Sequence, residues 1–160
     1  MSEERLVESF IRSDASPEGK WFVEVPVGLS IQEKKESDSS LKFVDAVCLT
    51  TQNSALPESY PDGPDFYFNV QEAEPHISKA EVFRRLQDSN LLSNEDAVIV
   101  EAKTGMSSFK SIGQLEAYKY LLEEDYGWAV QEQVLLSKKR DPVIDNVCTE
   151  KEYRVVNVST

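Results

Sequence analysis

A chain of 160 residues with 40% apolar residues is long enough for one domain around a layered core, and this composition excludes disordered and fibrous classes. No stretch approaches the roughly 18 to 20 apolar residues of a membrane span. The start Met1–Ser2–Glu3–Glu4–Arg5 has neither the charge nor the apolar region of a secretory signal, so a cytoplasmic, intracellular setting without membrane partners is expected. A formal net charge of -12 speaks against a broad nucleic-acid surface but not against a local one. Residues 1–100 carry 19 acidic and 9 basic side chains, net -10, whereas residues 101–160 carry 10 and 8, net -2. Such acidity suits a high-salt cytoplasm or simple solubility equally well.

The spacing of Leu6, Val7, Phe10 and Ile11 predicts a short amphipathic helix over Glu3 to about Ser13, with Glu4 and Glu8 one turn apart. Asp14–Gly19 reads as a turn, and Trp21–Leu29 as a strand in which Pro26 needs an edge, a bulge or the strand's end. Gln32–Ser40 is a polar, exposed loop. Leu41–Thr50 is a second strand, apolar enough to be covered on both faces, and it is interrupted by Asp45. Residues 51–76 are rich in Pro, Asp, Gly and Asn, with a turn cluster at Tyr60–Asp65 and a short strand or aromatic plug at Phe66–Val70. Ser78–Lys79–Ala80–Glu81 is a capping-box pattern that opens a helix to about Ser89, on which Arg84 and Arg85 read as a solvated basic pair.

Val98–Gly105 is the third long strand. A helix from about Lys110 to Glu124 follows, packed through positions 112, 115, 118, 121 and 122, then a strand at Trp128–Leu136. Lys138–Lys139–Arg140 comes next, with a short helix from Pro142 to about Glu150 and a last strand at Tyr153–Val158. This order predicts an α/β fold with a mixed central sheet and helices on both faces, as one domain over 1–160 with an insertion at about 51–95. Cys48 and Cys148 belong to no CxxC pair and read as buried free thiols. With one His in the chain, a structural zinc site is not expected.

Three charged residues stand where a strand interior needs a reason for them. Side chains alternate along a strand, so Glu101 and Lys103 leave the sheet on the face of Ile99, while Val98, Val100 and Ala102 enter the opposite layer. Asp45 is costly in its apolar run unless it is paired, hydrogen-bonded or bound to a cation; a strand-end Asp capping a loop is the structural alternative. If the two long strands are neighbours, Asp45 and Glu101 can share Mg²⁺, which takes oxygen ligands from one or two carboxylates and keeps several waters. Lys103 beside them suits stabilisation of a phosphodiester transition state.

Asp45 within its apolar strand, Glu101–Ala102–Lys103 on the next long strand, and a helix bearing Gly113–Gln114–Leu115–Glu116–Ala117–Tyr118 together resemble the PD-(D/E)XK nuclease superfamily, in particular its RecB-like and Holliday-resolvase-like branches. The resemblance runs from the first helix to the last strand and implies a three-layer α/β/α, restriction-endonuclease-like fold. It implies a Mg²⁺-dependent DNA nuclease, with Mn²⁺ as a substitute, in which Asp45 and Glu101 bind the metal. Lys103, Gln114 and Tyr118 then complete the catalytic centre, with Glu8, or Glu4 in its stead, on the first helix. Lys110, Lys138, Lys139 and Arg140 are the expected DNA contacts, and a homodimer or larger nucleoprotein assembly fits the family's habit of pairing two sites. Two departures stand out: no Pro precedes Asp45 at the motif position, and about 55 residues separate Asp45 from Glu101. The alternative expectation is a catalytically silent, nuclease-like interaction or assembly module.

Overall fold

The apolar runs assemble into one mixed sheet, seen in a computed structural model that describes residues 2–31, 41–50, 66–67, 79–89 and 94–158. In chain order the elements are α1 (Glu3–Ile11), β1 (Lys20–Val27), β2 (Lys42–Leu49), β3 (Phe66–Tyr67), α2 (Lys79–Ser89), β4 (Asp96–Met106), α3 (Phe109–Tyr126), β5 (Ala129–Lys139), α4 (Pro142–Glu150) and β6 (Arg154–Asn157). The polar stretch Gln32–Ser40, the turn cluster Tyr60–Asp65 and the expected helix cap Ser78 lie outside the described residues. Five longer strands and the two-residue β3 line up in the order β3-β1-β2-β4-β5-β6. β1, β2 and β4 are antiparallel neighbours, whereas β4, β5 and β6 run parallel. Parallel neighbours need crossovers, and α3 and α4 supply them.

Both layers of the core follow from strand alternation. Ala97 and Ile99 of β4 join Val47 and Leu49 of β2 in a cluster with Phe83 of α2, Leu115 and Leu122 of α3 and Ile144 of α4. Val98, Val100 and Ala102 face the other way, with Ala46, Cys48 and Leu6, Val7, Phe10 and Ile11 of α1. α1 therefore covers one face of the sheet and the later helices cover the other. Cys48 and Cys148 are both buried and free, and burial pushes the Cys48 thiol up to about 12.

α2 lies within the segment expected to be an insertion, yet Ala80 and Phe83 are part of the main core. The expectation of a solvated Arg84–Arg85 pair holds for only one of the two. Arg85 is exposed and within 3.7 Å of Glu81, whereas Arg84 is buried, near enough to Tyr126 for its charge to act on that hydroxyl. The helix turns Arg84 about 100° away from Arg85, toward the sheet, a difference that a dipeptide read without its helix face does not reveal.

One carboxylate ties the helical layer to the sheet. Asp125, near the end of α3, accepts backbone N–H bonds from Gly28 at 2.7 Å, Leu29 at 3.3 Å and Ser30 at 2.9 Å. Beside it the Tyr126 hydroxyl donates to the Pro26 carbonyl at 2.6 Å, and Gly127 ends the helix in the left-handed region with φ 72°. Pro26 thus sits beyond the Trp21–Phe22 stretch that pairs with β3, where its missing N–H removes no bond to that strand. Asp125→Ala orphans three amides at once and is expected to cost about 3 kcal/mol, read as a lower midpoint in urea. A loss below about 0.5 kcal/mol would show that water takes over these amides without penalty.

Candidate active site

The two long strands β2 and β4 meet and then part at the charged residues. Their paired positions run from Leu49 opposite Ala97 to Ala46 opposite Val100, and the next step of the register brings Asp45 opposite Glu101. There the side chains take over from the ladder. The Asp45 amide donates to Glu101 Oε1 at 3.0 Å, and the Ala102 amide donates to Asp45 Oδ2 at 2.8 Å.

The cause of the parting is visible in β1 and β2. Along β2, Val47 and Val44 both face α3, so the alternation that places Ala46 on the α1 side breaks at Asp45. Along β1, Val23 faces α1 and Val25 faces α3, so the break falls at Glu24, the residue that faces Asp45 in the β1–β2 register. Glu24 has φ 56°, a left-handed conformation uncommon for a residue with a side chain. The β1–β2 ribbon therefore turns at the Glu24/Asp45 step and leaves β4. Ladder amides are freed there, and the two carboxylates accept from them.

Electrostatics at this point are unfavourable for two charges. Glu101 is 3% exposed. Burial first, and then the Asp45 charge, push its carboxyl up to about 8, against the opposing effect of the Asp45 amide and the Lys103 ammonium. Asp45 is also raised, chiefly by burial, while the Ala102 amide and Lys103 act the other way. Two like charges about 4 Å apart repel by about 4 kcal/mol at an effective dielectric near 20, equivalent to about three pH units of titration. Without a cation both carboxyls are therefore held above their ordinary range, and a proton or a cation at the pair relieves the repulsion.

Helix α3 closes the site. Tyr118 is buried, its hydroxyl is raised by burial and then by the charges of Glu101 and Asp45, and the Gln114 side chain hydrogen-bonds to it. One turn of helix separates the two residues, which accounts for their contact. The Gln114 Oε1 oxygen is buried and has no hydrogen-bond partner among the described residues. An orphaned acceptor costs about 1–3 kcal/mol, so it is a place where a ligand or water gains a bond at little desolvation cost.

The structure thus brings together Asp45, Glu101, Lys103, Gln114 and Tyr118 at one break in the sheet. Glu8 is not among them: it lies on the exposed side of α1 and pairs with Arg12 at 3.3 Å. The α1 carboxylate whose charge acts on Asp45 is Glu3. Helical periodicity orders the faces of α1, but which end of the helix lies over Asp45 depends on how α1 crosses the sheet, so the sequence favoured the wrong turn. Lys110 and Lys139 are exposed near the end of β4 and β5, Lys138 is half-buried, and Arg140 pairs with Asp145 at 3.1 Å.

Among the described residues no group of three or more His, Cys, Asp and Glu side chains gathers as a metal cage. Two carboxylates at a break in the sheet still suit a hard divalent ion that keeps most of its water, and a cation would replace their repulsion with attraction. Among the described residues no helix is long and apolar enough to cross a membrane. No protein-family model matches the chain, and neither the curated proteins nor the solved structures include a significant match.

Proposed function

We propose that the chain is a Mg²⁺-dependent DNA nuclease of restriction-endonuclease-like fold, with Asp45 and Glu101 as the metal ligands. The observation that carries this reading is the facing carboxylate pair, Glu101 buried and Asp45 half-buried, at a strand break that costs the fold a regular ladder and sets two acids against each other. Structural needs alone would be met more cheaply by apolar residues of similar size. The bound ion would supply charge stabilisation for a phosphodiester and a more acidic water. Lys103, whose ammonium acts on both carboxylates, is the candidate to neutralise charge developing on the phosphate. Gln114 hydrogen-bonds to the Tyr118 hydroxyl, and its buried oxygen, unpartnered among the described residues, is an acceptor that a water or ligand entering the site would satisfy.

A second reading, a silent nuclease-like assembly module, has its own support in the fact that both carboxylates already accept strand amides without any ion. Cleavage assays separate the two. Wild type with Mg²⁺ or Mn²⁺ is expected to cut at least one of single-stranded, duplex and branched DNA, and Lys103→Ala to lower the rate on the order of a hundredfold or more while leaving the melting temperature within a few degrees. No cleavage of any substrate with either ion, across low and high salt, returns the chain to the module reading.

A further inference from the structure

The far end of β4 carries an unusual combination for so acidic a chain. Beyond Lys103 the strand runs on to Met106, which pairs with Lys139 at the end of β5, and α3 starts three residues later at Phe109. Met106 is 55% exposed and Phe109 66% exposed, both large apolar groups. Lys110 and Lys139, both exposed, flank them. Between residues 102 and 115, and again between 133 and 140, there are five basic side chains and no acidic one, in a chain of net charge -12. The same strand holds Glu101, so Met106 at this corner lies no more than about 17 Å from it along the strand.

We propose that the β4–α3 corner is a stacking platform for an unpaired base, with Phe109 as the ring that receives it, Met106 as its apolar neighbour, and Lys110 and Lys139 on the adjoining phosphates. The substrate class is accordingly a nucleic acid with a single-stranded segment at the site. A base buried within a duplex offers no free face to a side chain, whereas an unpaired base stacks on an aromatic ring whatever its identity. Two exposed ammonium groups beside the two exposed apolar side chains favour a polyanion over an apolar protein surface. This inference rests on the nuclease reading for its direction, because it takes the strand that passes Asp45 and Glu101 to continue over Phe109.

The test measures binding of the full-length protein to a labelled 15-nucleotide single strand and to the matching duplex by anisotropy, in Ca²⁺ at fixed salt, for wild type, Phe109→Ala and Phe109→Trp. Phe109→Ala is expected to weaken single-strand binding about tenfold, leave duplex binding within twofold, and be rescued by Phe109→Trp. Equal losses on both nucleic acids, no loss on either, or no binding by wild type overturns the platform. So does a Phe109→Ala effect confined to self-association in sedimentation, which would make the corner a contact between copies. Cleavage with Mn²⁺, run in parallel, keeps the two proposals apart. Phe109-dependent binding without cleavage removes the nuclease reading alone, and cleavage indifferent to Phe109 removes the platform alone.

Discussion

Glu101→Gln is expected to move activity and metal-free stability in opposite directions. The variant keeps an oxygen for the Asp45 amide but loses the second negative charge, so cleavage falls on the order of a thousandfold while the like-charge penalty disappears. The pH dependence follows from the direction of the shift. Glu101 in the unfolded chain ionises near 4.5, and in the folded chain at about 8. Between these values the folded state holds a proton that the unfolded state has lost, so the stability from this group is fully present below about pH 4.5 and is lost as pH rises through about 8.

In chelator, the wild-type melting temperature should therefore decline from pH 5 to pH 8.5, and Glu101→Gln should flatten that decline. Adding Mg²⁺ at pH 8 should raise the wild-type melting temperature, through a stabilisation of about 2.7 kcal/mol when the ion is at 100 times its dissociation constant, and leave the variant unchanged. Thermal melts at four pH values, with and without Mg²⁺, measure all of this. Parallel slopes for wild type and variant, with no response to the ion, would show that Glu101 is not held protonated and binds no cation.

Gly19→Ala is expected to destabilise the fold by about 3 kcal/mol, although the residue is small, partly exposed and far from the candidate site. A Cβ at this position would lie 2.3 Å from the Leu49 carbonyl oxygen and 2.7 Å from Cys48 Sγ. Leu49 pairs with Lys20 where β1 begins, so the added methyl group pushes apart the two strands that lead to the Glu24/Asp45 turn. Removing the sulfur does not relieve the contact with the carbonyl, and Gly19→Ala combined with Cys48→Ala should remain as unstable as the sum of the two changes. Urea titrations of both variants check this. A Gly19→Ala midpoint equal to that of wild type would mean that the β1 start moves without cost.

Much of the architecture was legible in local pattern. Leu6, Val7, Phe10 and Ile11 recur at helical spacing and are the buried face of α1; Ile112, Leu115, Tyr118 and Leu122 do the same for α3. The alternation of Val98, Ile99 and Val100 separates the two core layers as expected, because a strand covered on both sides has only two directions for its side chains. Asp45 was conspicuous for a physical reason: a charge inside an apolar strand is costly, and the structure shows which amide and which second carboxylate it meets. Arg84 was misread as one of a solvated pair because exposure along a helix is set by what the helix packs against. Glu8, taken from the resemblance as the first-helix carboxylate, pairs instead with Arg12, because which end of α1 lies over Asp45 depends on how the helix crosses the sheet.

The sequence by itself determined the order and type of the longer elements, the position of Glu101 and Lys103 on one face of β4, and the odd placement of Asp45, since each of these depends on periodicities of a few residues. Only the tertiary structure decided that Asp45 faces Glu101 across 56 residues of chain, that Glu3 is the helix carboxylate felt there, and that the β1–β2 ribbon turns away at Glu24. Strand register and helix docking are set by contacts summed over two whole core layers. A backbone turn such as that at Glu24 arises where those layers make incompatible demands on one ribbon, a conflict that no local stretch of sequence contains.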